Sequence, residues 1–185
     1  MLAILMIIGA VVLRLIPHIP NFAPITAIGL FGGRYVNKKF AILVPLIVMI
    51  LSDYFLLYIN PFNRTMDFTK VYPITSLFRA DTLFVWSSFV ISSLIGIWLR
   101  KTKRPAVLLG ATLLASLQFF LITNFGVWAV GMYSRGLDGL VQSYVMGILF
   151  FRWTILGDLF YTGVFFGAYE LATKMAKLSE EKILI

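Results

Sequence analysis

Residues 13–33 read LRLIPHIPNFAPITAIGLFGG: an arginine, the chain's single histidine, three prolines and an asparagine set between two strongly apolar runs. Proline fixes its own φ and disfavours helix in the residue before it, so PHIPNFAP ends one helix and stiffens the passage to the next. The fold turns on whether the runs beside it cross a membrane. The 185 residues are 60% hydrophobic and 13% charged, with a mean hydropathy of +0.92. A soluble domain holds about 45–50% apolar and about 25% charged residues. No low-complexity or Ser/Pro-rich linker divides the chain, which predicts a single transmembrane domain over residues 1–185.

Six apolar segments follow: Met1–Ile16, Pro24–Val36, Phe40–Ile59, Thr82–Leu99, Pro105–Thr123 and Leu149–Ala172. Apart from the first two, each is long enough to cross a core of about 30 Å with modest tilt or thinning. Backbone groups in lipid must be satisfied internally, and the alternating pattern of a membrane barrel is missing, so the segments are predicted helices of an all-α bundle. The second segment is the weak one, because its thirteen residues cover only about 20 Å. Met1–Ile16 lacks a basic leader, and PHIPNFAP is a poor cleavage site, so it reads as a membrane helix rather than a signal peptide.

The basic residues give the topology. Arg34, Lys38 and Lys39 lie between segments two and three; Arg100, Lys101, Lys103 and Arg104 lie between four and five; Lys174, Lys177 and Lys182 follow segment six. All fall on one face, which the positive-inside rule makes cytoplasmic, C-terminus included. The net charge of +8 is therefore orientation information, and no nucleic acid partner is expected. The opposite loops, 60–81 and 124–148, are rich in aromatics, which suits an interfacial belt and a lid over a pocket equally well. Residues 137–147 are expected to form a short interfacial helix leading into segment six. Gly29 with Gly33, Ala111 with Ala115, and Gly163 with Gly167 each space small residues by four, the pattern of close helix packing.

Ionisable groups within a bilayer are costly unless paired or hydrated. Arg14, Asp53, Arg152 and Asp158 gather in the outer half of the predicted bundle, with Asp158 about 14 Å down segment six. Arg152 and Asp158 are about 240° apart around their helix, so each needs a partner from elsewhere. Asp158, Tyr161, Thr162 and Phe165 share a helix face, the geometry of a pocket wall or a packed seam. Arg14 with Asp53 suits a buried ion pair as well as a ligand site. His18, held between Pro17 and Pro20, suits hydrogen bonding or ligand contact; a lone histidine in a chain without cysteine makes no metal site. There is no HExxH, GxSxG, P-loop or dinucleotide fingerprint, so no cofactor is expected. An Asp53/Asp158 carboxylate dyad would make an intramembrane enzyme, but the flanks LSDYF and LGDLF lack the signatures of that class.

The stretches RLIPHIPNFAPITAIGLFGG, LVPLIVMILSD, FFLITNFGVW and GDLFYT resemble a family of small bacterial membrane proteins. That family is grouped with the substrate-binding S components of energy-coupling-factor (ECF) vitamin transporters. The resemblance implies a six-transmembrane-helix bundle of S-component type in the inner membrane, with both termini cytoplasmic. It also implies an outward-facing pocket capped by the loops after helices one, three and five. Arg14, His18, Asn21, Asp53, Asn124, Trp128 and Asp158 would surround that pocket, and Arg152 and Tyr161 join them as candidate contacts. The implied function is binding a small molecule, such as a vitamin or micronutrient, for uptake. S components that dock on a shared coupling subunit often carry Ala-x-x-x-Ala in helix one. Here Ala3 is followed by Ile7 and Ala10 by Arg14, so an ECF-type coupling subunit with its ATPases and solitary uptake both stay open. Two alternatives remain beside this reading: a structural or assembly protein without a ligand, and the dyad enzyme.

Overall fold

A computed structural model describes residues 2–16, 19–60, 65–102 and 104–183. Among the described residues are seven α-helices: α1 Leu2–Leu15, α2 Ile25–Tyr35, α3 Lys38–Ala41, α4 Leu43–Leu56, α5 Thr82–Trp98, α6 Pro105–Ala129 and α7 Leu137–Ile183. Among the described residues four helical stretches are long and apolar enough to cross a membrane: Lys38–Leu56, Thr82–Lys101, Pro105–Ala129 and Leu137–Ser179. Their outer faces are greasy. On α6, Leu109, Leu113, Leu117 and Leu121 form an exposed i, i+4 stripe, a surface that lipid covers and water does not favour. The chain is a helical membrane protein.

The short second segment lies at the centre of the bundle. α2 has eleven residues, about 16 Å of helix, and every residue from Ile25 to Gly33 is buried. It packs on α1, α4, α5, α6 and α7. Such a helix needs small residues where it crosses a neighbour. A Cβ on Gly29 would lie 3.0 Å from the Ser92 Cβ, and one on Gly33 would lie 2.7 Å from the Gly96 Cα and collide with the Ser93 carbonyl. The α2–α5 crossing is thus a backbone-to-backbone approach that glycine alone permits. Where α2 ends, Arg100 donates its Nε–H to the Gly33 carbonyl at 2.7 Å and a second guanidinium N–H to the Val36 carbonyl. It caps carbonyls that the helix leaves open, with the charge sign that a helix C-terminus favours.

Two helices run further than the sequence predicts. α6 continues past Thr123 to Ala129, and α7 begins at Leu137 and runs unbroken for 47 residues, so the expected separate interfacial helix at 137–147 is its first part. The expected loop 124–148 shrinks to residues 130–136. The causes are local. No proline interrupts 106–183, Gly126 makes room for the Phe84 ring, and the left-handed Gly131 and Gly136 (φ +85° and +124°) make the turn.

The loop after α4 is ordered by its own contacts. Strands β1 Ile59–Asn60 and β2 Thr65–Met66 pair antiparallel, and Tyr58 stacks on Phe68 with Tyr72 edge-on at 5.3 Å. A 3₁₀ turn at Ile74–Leu77 then buries Leu77 beside the start of α5.

Candidate functional site

The loops after α1 and α4 lie at the same end of the bundle, and three adjoining cavities open beneath them. The first, of about 290 Å³, is lined by Arg14, Asp53, Ser76, Arg79, Thr82 and Trp86 among others. The second, of about 230 Å³, lies between Arg14, Asn21, Thr26, Phe89, Phe119 and Asp158. The third, of about 220 Å³, is bounded by Asn21, Phe119, Asn124, Gly147, Phe151 and Thr154. Arg14 lines the first two, Asn21 the second and third, and Val85 all three.

Asn21 is held in place by a turn. The Phe22 N–H donates to the Ile19 carbonyl at 2.9 Å, with Pro20 second in the turn and Asn21 third at φ +64°. Proline followed by a residue of positive φ is the type II arrangement, and asparagine tolerates the left-handed region better than most side chains. Phe22 anchors the turn on α7, against Phe160 at 5.7 Å and Tyr161 at 5.5 Å. The backbone seats there because Gly157 has no Cβ; one would lie 3.0 Å from the Phe22 Cα. The sequence PNFAP is therefore a rigid cap whose asparagine borders two cavities. His18 lies outside the described residues.

Arg14 and Asp53 form an ion pair at 2.5 Å, and the Arg14 guanidinium also donates to the Ser52 hydroxyl. Ser52 in turn donates to the Val48 carbonyl at 2.6 Å. Arg79, on the loop, chelates Asp81 with Nε and Nη2 at 3.2 and 3.3 Å. Those hydrogen bonds, with a further pull from the Asp53 charge, push its pKa above the usual arginine value. The first cavity thus carries charges already matched to one another.

Asp158 is different. It is 2% exposed and accepts a hydrogen bond from the Ser116 hydroxyl at 2.7 Å and another from Thr26. Its neighbours continue the polar line: Thr154 and Thr162 stand one turn away on either side along α7, and Thr162 meets Thr112 of α6 at 3.5 Å. Asp53 and Asp158 border different cavities.

The structure brings together Arg14, Asn21, Asp53, Asn124 and Asp158, and leaves three other candidates aside. Arg152 is exposed, its guanidinium 5.2 Å from the Trp153 ring; six residues from Asp158, it emerges on another side of α7. Trp128 sits on α6, not on a loop, and donates to the Gly136 carbonyl at 3.2 Å. Tyr161 is buried, but as a platform beneath Phe22 and Phe165 rather than a cavity wall. The turn 130–136 lines none of the three cavities. Of the small-residue pairs, Ala111 and Ala115 are buried, whereas Gly163 and Gly167 are exposed with open space about them and make no seam among the described residues.

Sequence reading missed Thr26, Ser52, Arg79, Phe89, Ser116, Phe119 and Thr154. A signal was present for some: Thr112 with Ser116, and Thr154 with Asp158 and Thr162, repeat polar groups every fourth residue inside apolar helices. Gln118 is another such residue. It donates to the Ser88 carbonyl and the Ser92 hydroxyl, each at 3.0 Å, and ties α6 to α5. Among the described residues no cluster of three or more His, Asp or Glu side chains has the arrangement of a metal site.

A family model described as a family of unknown function, DUF6580, matches residues 1–180, and the chain belongs to that family. No curated protein and no solved structure matches it significantly.

Proposed function

We propose that this member of DUF6580 is a substrate-binding membrane subunit for uptake of a small molecule, of the ECF S-component kind. The observation that carries the reading is the string of cavities at one end of the bundle, bordered by Arg14, Asn21, Asp53, Asn124 and Asp158. Charged side chains inside a bilayer are costly, so their retention there points to function, and convergent polar groups in an apolar-walled cavity are the usual form of a ligand site. The chain then spans the membrane six times, with α1 and the short α2 counted among the spans. Arg34, Lys38, Lys39, Arg100, Lys101, Arg104, Lys174 and Lys177 lie at the opposite end from the cavities, which supports cytoplasmic termini and an outward-facing site. The ligand is of the size of a vitamin or similar micronutrient. Energy for release comes from a partner of the coupling-subunit and ATPase type or from the ligand gradient itself.

The test is to purify the protein from its native membrane in mild detergent, identify small molecules that co-purify, and screen metabolites for a rise in melting temperature. A specific metabolite that raises it, with the rise lost in Asn21→Ala and Asp53→Ala, is the expected result. A broad screen without a shift, and nothing co-purified, would contradict the proposal.

A further inference from the structure

We infer that the molecule held in the second cavity is a cation docked on Asp158, an inference that rests on reading the cavities as a ligand site. Charge matching around the cavities leads to it. Arg14 is neutralised by Asp53 at 2.5 Å, and Arg79 by Asp81. Arg152 is exposed beside Trp153 and lines none of the three cavities. What remains is Asp158, 2% exposed and bordering the second cavity, whose partners among the described residues are the hydroxyls of Ser116 and Thr26. A carboxylate accepts at about four lone-pair sites, so two hydroxyls leave acceptor capacity free. Hydroxyl donors also bring no compensating charge.

Arg14 also borders this cavity, its charge held by Asp53, and the aromatic part of the lining suits a cation. Phe89 and Phe119 approach within 5.2 Å of each other and both border this cavity, and aromatic faces attract cations in desolvated sites. An anion would meet the field of Asp158 at low dielectric, where repulsion is strong. Beside a neutral apolar molecule the buried carboxyl would take up a proton, whereas a cation lets it stay charged and pairs with it. The volume of about 230 Å³ is below the roughly 300 Å³ at which drug-sized sites begin, so the occupant is a single-ring amine or heterocyclic cation. Any longer tail would pass Asn21 and Thr154 into the third cavity, which shares those two residues.

The test compares three probes of similar shape and different charge at neutral pH: benzylamine, benzamide and benzoate. Each is titrated against the purified full chain in phosphatidylcholine nanodiscs by saturation-transfer NMR, with empty discs subtracted. Benzylamine is expected to bind about tenfold tighter than benzamide, equivalent to about 1.4 kcal/mol, with benzoate weakest. In Asp158→Asn the amine and the amide should fall within about twofold of each other. Benzamide binding as tightly as benzylamine, or Asp158→Asn keeping the tenfold gap, would overturn the inference. If Asp158→Asn does not fold, the wild-type ratio decides alone. Binding without charge preference overturns the cation assignment only; no binding by any probe removes the ligand-site reading as well.

Discussion

The two ends of α2 show what the bundle spends its polar residues on. At its start, Thr26 reaches Asp158, and the space around it is cavity edged by hydroxyls, an asparagine and charged groups. At its finish, Gly33 touches Gly96 of α5, and Phe31 is enclosed by Tyr35, Phe165, Phe166 and Tyr169 with ring centroids 4.9 to 6.0 Å away. One helix of eleven residues is thus closely packed over Phe31–Gly33, borders an open surface pocket at Arg34 and Tyr35, and is bordered at its start by the cavity around Asp158. Lipid provides no hydrophobic drive between helices, so tight backbone crossings and aromatic interlocking must hold the basic end. With that end fixed, the loop end can keep space open. On the proposed reading, close packing and the ligand site occupy different parts of α2, and each prediction below probes that division.

The largest effect is expected at the crossing. Gly33→Val places a side chain against the Gly96 Cα and the Ser93 carbonyl, backbone atoms that cannot move aside. It should cost about 3 kcal/mol or more, seen as loss of a monodisperse peak and of the thermal transition in detergent. A folded variant of normal melting temperature would break the close-approach account. Phe31→Ala should be nearly as costly, about 3 kcal/mol, while leaving intact any ligand-induced shift in melting temperature. If ligand response vanished at ligand concentrations that saturate the wild type while the fold survived, the two ends would not be separable.

Smaller effects sharpen the loop end. Arg14→Ala leaves Asp53 and Ser52 without their partner and should destabilise by about 1–3 kcal/mol. The double variant Arg14→Ala/Asp53→Ala should lose less than the sum of the single variants, as a thermal double-mutant cycle would read. Simple additivity would mean that the pair does not couple. Asn21→Gly should keep the turn within about 0.5 kcal/mol, whereas Asn21→Val should cost about 1–2 kcal/mol because a branched side chain resists φ +64°; equal melting temperatures for the two would remove the turn as the reason for asparagine.

The smallest effect is at the hairpin. Asp67 accepts from the Thr69 hydroxyl at 2.5 Å and from its amide at 3.0 Å, which holds its carboxyl below the usual carboxylate range. A depressed folded-state pKa contributes stability above the unfolded value, about 3.9, and that contribution is lost as the pH falls through the folded value. Hydrogen exchange at the Thr69 amide, corrected for intrinsic rate, should lose protection only in that acidic window. Protection unchanged to below the window would contradict the assigned bond.

Hydropathy alone made the helices of this chain legible, because lipid demands long apolar runs with satisfied backbones. The stretch around PHIPNFAP announced its turn through proline and asparagine chemistry, and the spacing of Gly29 and Gly33 announced a close crossing. The centrality of α2 was hidden, since a thirteen-residue apolar run looks the same whether it is peripheral or enclosed. Helix ends were hidden too: Asn124, Gly126 and Gly147 read as loop residues, yet Asn124 bonds back to the Phe120 carbonyl at 2.8 Å and fits against α7 where Gly147 lacks a Cβ. Arg152 and Asp158 looked alike as intramembrane charges; only the direction each takes from α7 separates an exposed arginine from a buried carboxylate. Ser116 and Thr26 gained meaning only once three helices met.

The most direct test of the central claim is an experimental density map of the full chain, purified in mild detergent from its native membrane without added ligand. The account predicts non-protein density between Arg14, Asn21 and Asp158, with the Arg14–Asp53 pair intact beside it. Side chains of Phe89, Phe119 and Met49 collapsed into that space, leaving no cavity and no density, would contradict it.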